Sequence, residues 1–216
     1  VLRKTVQNFR KASAQDPHME ALWTRVVVAL DAEQPSARKT REGIKASGRC
    51  AIQLLRKAKK LDHEFAEDAG YPSLLTGLDR TYKQARKLYK SLRKDDDVET
   101  SHRLRRRVKY LWYDMQLLEN ATETLEDFRK DLGVLGELLG DEHDLVDLRC
   151  HLTTLSSAAL SLQDLIDLSA AISERRAEIH SEAMALGERL LAEKPAAFLA
   201  RIEQFLTAWK RPAEAA

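Results

Sequence analysis

One histidine, five arginines or lysines and three aromatic residues fall within the thirteen positions of SHRLRRRVKYLWY, residues 101–113. On a helix advancing about 100° per residue, Leu104, Val108, Leu111, Met115 and Leu118 form one narrow apolar stripe. His102, Arg105, Arg106, Lys109, Tyr113 and Gln116 fall opposite it with no acid among them. The stretch before repeats the plan: Arg80, Lys83, Arg86, Lys87, Lys90 and Lys94 oppose Leu78, Tyr82, Ala85, Tyr89 and Leu92, and no carboxylate occurs between 80 and 94. In a third stretch Ile44, Gly48, Ala51, Leu55 and Ala58 face inward, while Arg38, Lys45, Arg49, Arg56 and Lys60 share a strip interrupted only by Glu42. Solvent-facing helix surfaces ordinarily mix signs, because Glu and Lys four residues apart support the helix and like charges at that spacing weaken it. Three strips that exclude acids therefore predict a polyanion site, with arginine offering paired donors to phosphate oxygens and lysine a compact charge.

The elements that must carry these strips are all helical. No run of β-branched residues with period two appears, and glycine and proline are few in the 216 residues. Helices are predicted near 1–14, 17–32, 36–61, 76–94, 98–119, 122–139, 141–156, 161–191 and 195–209. Pro17, Pro35, Pro72 and Pro195 punctuate their starts, Asp95, Asp96 and Asp97 offer an N-cap to the fifth, and Gly140 is expected to separate the sixth from the seventh. Residues 62–77 read as a longer connector. With no low-complexity linker, a single packed domain over 1–216, a bundle of long antiparallel helical hairpins, is expected.

The net charge of +2 conceals segregation: residues 1–60 hold 14 bases against 5 acids, 80–113 hold 12 against 4, and 114–150 hold 11 acids against 3 bases. Cys50 and Cys150 form no CxxC pair or ligand cluster, which suggests a reducing, cytoplasmic setting without zinc. No apolar run approaches the roughly 20 residues a membrane span needs, and the first residues lack a signal-peptide core. Gly-rich phosphate loops, HExxH and GxSxG are absent. In LLGDEHDLVDL, residues 138–148, Asp141, Asp144 and Asp147 could hold magnesium for a phosphohydrolase, but Asp141 is better read as a helix cap with Asp144 in the first turn, and His143 as a surface or packing residue. No catalysis, cofactor or metal is expected. Tyr110, Trp112 and Tyr113 offer the alternative of RNA or single-stranded nucleic acid stacking on the same basic faces, although Trp112 lies nearer the apolar stripe. Arg103 projects toward the flank with Asp114 and is expected to matter little.

HRLRRRVKYLWYDMQLLE at 102–119, followed by LGVLGELLGDEHDLVDLR at 132–149, resembles the second signature of the CHAD family, the conserved-histidine α-helical domain. ERRAEIHSEAMALGERLLAEKPAAFLARI at 174–202 resembles the family's C-terminal part, so that the likeness runs over 76–209 and more loosely before it. The resemblance implies two similar helical halves around a basic central channel that binds inorganic polyphosphate, often at polyphosphate granules; the basic strips themselves would also accept other polyanions. It places the signature on His102, Arg105, Arg106, Lys109, Tyr113 and Asp144. Arg80, Lys83, Lys87, Lys90, Arg38, Lys45, Arg49, His143, Arg175 and Lys194 complete the candidate set. No HxxRK-like stretch precedes residue 100, so the chain is expected to begin inside the first half (1–94) and to carry the second (95–216) whole.

Overall fold

In the computed structural model, residues 2–12, 16–32, 71–119, 125–155 and 160–210 are described, and all regular structure among them is helical. Seven helices follow in order: α1 (Leu2–Ala12), α2 (Pro17–Ala32), α3 (Tyr71–Leu92), α4 (Val98–Glu119), α5 (Glu126–Leu152), α6 (Leu162–Leu190) and α7 (Pro195–Lys210). The predicted third helix, with Arg38, Lys45 and Arg49, lies outside the described residues.

The apolar stripes dictate the packing. Every core residue predicted for α3 and α4 is buried, from Leu78 through Leu92 and from Leu104 through Leu118. The tight turn between these helices is set by Asp97, whose carboxylate accepts from the Thr100 backbone N–H at 2.8 Å and its hydroxyl at 2.6 Å. Those bonds hold the Asp97 carboxyl below its usual range.

Two predicted helices are one. α5 runs through Gly140 without interruption, because Leu132, Leu135, Leu139, Leu145, Leu148 and Leu152 keep a single buried stripe in phase on both sides of the glycine. Gly140 is there for packing: a Cβ at that position would sit 2.8 Å from Arg105 Nη2 on α4. Asp141 and Asp144 are consequently interior helical residues and cap nothing. The start of α3 at Tyr71 also precedes the expected 76, with Pro72 tolerated in the first turn, where its missing N–H has no helical acceptor.

Helices α5 and α6 form a long antiparallel hairpin serving two cores. One core joins α3, α4 and α7 to the first half of α5 and the last turns of α6, with Tyr82 stacked on Phe198 at 3.9 Å. Burial pushes the Tyr82 hydroxyl pKa up to about 12, and that hydroxyl donates to the Glu193 carbonyl at 3.1 Å. The other core joins α1 and α2 to the opposite end of the hairpin, with Phe9 stacked on Trp23 at 4.6 Å. A Ser161–Asp164 capping box starts α6.

Candidate functional site

Between α3 and α4 a cavity of about 350 Å³ is lined by Gln84, Lys87 and Leu88 from α3 and by Arg103, Arg106, Arg107 and Tyr110 from α4. Four of its seven lining residues are cations and none is an acid. Among the described residues none of the four cations makes an ion pair, whereas Arg107 packs its guanidinium 5.5 Å from the centre of the Tyr110 ring. A second groove of about 390 Å³ lies on the other side of α3, lined by Lys83, Arg86, Lys87, Lys90, Ser91, Lys94 and Pro195. Lys87 borders both.

The remaining face of α4 packs on α5. His102 lies 4.8 Å from the His143 ring, tilted by 46°. Arg105 lies against Gly140, the Lys109 stem passes Gly136, and Trp112 covers Gly133, so the absent side chains of α5 let long side chains of α4 lie close to its backbone. His102 Nδ1, Arg105 Nε and His143 Nδ1 are shut off from solvent without a partner. His143 Nε2 lies 3.6 Å from Asp147. The single strip inferred from helix angles is thus divided: His102, Arg105 and Lys109 lean to α5, and Arg106 leans to α3.

The other candidates are placed as follows. Lys83 and Lys90 border the outer groove, Lys83 held by Asp79 at 2.6 Å. Tyr113 is exposed, and Arg80 is exposed on α3 outside both cavities. Lys194 is exposed immediately before Pro195 at the start of α7. Arg175 is elsewhere. It pairs with Glu178 at 2.7 Å and lines a 420 Å³ cavity that draws its lining from α1, α5 and α6. Asp141 lines that cavity too, its carboxyl raised above the usual range by desolvation and by Asp144.

Sequence reasoning missed three things. Arg103, expected on the flank, lines the α3–α4 cavity, and Arg107 joins it there; the direction of the neighbouring helix, which no periodicity reveals, puts them inside. The third is a buried ionic network around Glu142. Its carboxylate accepts from the Ser101 hydroxyl at 3.0 Å and from Arg176 Nη2 at 2.9 Å, and lies 3.0 Å from His180 Nδ1. Arg176 Nη2 also donates to Asp96 at 2.6 Å. A carboxylate in phase with the apolar stripe of α5 was the available signal. Among the described residues only Asp96, Glu142 and His180 bring three potential metal ligands together, and Arg176 already bridges two of them; Asp141, Asp144 and Asp147 do not converge.

The family model described as CHAD domain matches residues 1–153. The chain belongs to the CHAD family. It is a family of binding domains linked in general to polyphosphate. The match takes in α1 to α5, hence nearly all of both basic cavities, and ends before 174–202, a stretch expected to share the likeness. No curated protein and no solved structure matches the chain. Among the described residues no helix is long and apolar enough to cross a membrane.

Proposed function

We propose that this CHAD domain binds inorganic polyphosphate without chemical conversion, along the basic faces of α3 and α4, and that it thereby associates with polyphosphate granules in the cytoplasm. The observation that carries the reading is the α3–α4 cavity, where Lys87, Arg103, Arg106 and Arg107 converge with no carboxylate on its lining and no ion pair among the described residues. Clustering four like charges raises the energy of the free protein, and a chain bearing about one negative charge per phosphate relieves it. Guanidinium groups can grip adjacent phosphate oxygens through paired donors, which favours a narrow, baseless chain. His102, Arg105, Lys109 and His143 extend the basic surface across α4. In this reading residues 1–94 contribute part of one half and 95–216 the other half of a single domain around a basic channel.

Nucleic acid is the second reading, favoured by half-exposed Tyr110 and Tyr113 beside the cations. The Tyr110 ring is already engaged by Arg107, which leaves less of it for a base. Competition decides between them: RNA or single-stranded DNA should displace labelled polyphosphate only weakly, and displacement at equal phosphate concentration would move the assignment to nucleic acid.

A further inference from the structure

We infer that polyphosphate on this domain does not end in the α3–α4 cavity but crosses the α3 ridge at Lys87 and continues into the outer groove, over Lys90 and Lys94. The inference rests on the reading above and adds a path, and with it a dependence on chain length. Lys87 borders both cavities, of about 350 and 390 Å³, so the two adjoin at that residue of α3. Lys87, Lys90 and Lys94 follow at intervals of three and four residues, which sets them on one face of α3. At a rise of about 1.5 Å per residue they extend over roughly 10 Å of helix.

The other charges around the groove are engaged. Lys83 is held by Asp79 at 2.6 Å. Arg86 donates to the Leu191 and Ala192 carbonyls at 3.0 and 3.2 Å and so fastens the α6–α7 turn beside the groove. Two acids near the groove are turned to other partners, Glu188 to Arg93 at 3.0 Å and Glu193 to Arg201 at 3.0 Å. Lys87, Lys90 and Lys94 make no ion pair among the described residues. A ligand that fills only the first cavity meets Lys87 and the three arginines, whereas a longer chain gains Lys90 and Lys94 without further reorganisation of the fold.

The experiment titrates the whole chain with tripolyphosphate and with polyphosphate of several tens of residues, for the natural protein and three double variants. Lys90→Ala/Lys94→Ala should weaken the long chain by about tenfold, as expected for two modest charge-assisted contacts, and change tripolyphosphate by less than about twofold. Arg103→Ala/Arg106→Ala should weaken both ligands. Lys4→Ala/Lys11→Ala removes the same charge from α1, and should affect neither. Thermal melts establish that these surface variants fold. If the first variant weakens both ligands alike or neither, the path over α3 is wrong, while polyphosphate binding itself stands. Equal loss of long-chain affinity in the α1 variant would show diffuse attraction and overturn the path too. If the natural protein binds neither ligand, the function proposed above falls and the path with it.

Discussion

The two ends of the α5–α6 hairpin are both rich in arginine and lysine, yet they treat them differently. At the α1–α2 end the arginines are answered: Arg3 meets Asp31 at 3.4 Å, Arg10 meets Glu20 at 3.6 Å, and Arg25 meets Asp164 in a two-pronged bond at 2.9 Å. At the α3–α4 end Lys87, Arg103, Arg106 and Arg107 face one another across a cavity without an acid. The difference teaches that density of positive charge is a poor guide to a ligand site. What distinguishes the two ends is whether the fold supplies the counter-charge.

The largest effect expected comes from the network that ties the α3–α4 turn to the middle of the hairpin. Glu142→Ala removes the 1 % exposed carboxylate that Arg176, His180 and Ser101 share, leaving Arg176 with Asp96 alone, and should lower stability by about 3 kcal/mol, the lower end of the cost of breaking a buried pair. Chemical denaturation measures it. A loss below 1 kcal/mol would mean that water satisfies these groups. Next, Arg106→Ala should weaken polyphosphate binding by about 1.5–3 kcal/mol, the range for hydrogen bonds to charged groups, while Arg10→Ala at the paired end leaves affinity unchanged. Comparable losses at both positions would erase the contrast between the ends.

A smaller effect is expected from Gly140→Ala. The added methyl displaces the Arg105 guanidinium, a flexible group, while the helix gains up to about 1 kcal/mol in propensity. Stability should therefore change little and affinity should fall, and unchanged affinity would remove Arg105 from the binding surface. The smallest effect concerns acid. The Asp164 carboxyl is lowered to about 2, first by the Ser161 backbone N–H and then by Arg25. Its contribution is complete above the unfolded-state value near 3.8 and is lost as pH falls toward 2, so Asp164→Asn should flatten the acid side of the stability profile in that window. An identical profile in the variant would show that the α2–α6 contact does not titrate through this residue.

Much of this was legible in the amino-acid sequence, for identifiable reasons. The buried faces of α3 and α4 follow from helical periodicity alone, and Asp97 announces its cap because an acid before a helix has one obvious use. The break expected at Gly140 fails because local propensity cannot weigh a neighbour: the guanidinium of Arg105 needs the space that a side chain would fill. Arg103 and Arg107 were misplaced or passed over for the same reason, since periodicity fixes the direction of a side chain relative to its own axis and leaves open which helix stands there. The family likeness was legible from the signature at 102–119, and the match over residues 1–153 takes in that signature together with the more loosely similar stretch before residue 76.

The hairpin that carries both cores has a consequence for how the domain comes apart. Helices α5 and α6 span 27 and 29 residues, roughly 40 Å each at the helical rise, and Leu138 on α5 packs against both apolar clusters. Neither cluster can dissolve without stripping one end of the same two helices, so the ends are coupled as loads on a common beam. Fraying begins at the tips of that beam, and backbone amides around Leu138 are the last to exchange with solvent, opening only when the whole domain does.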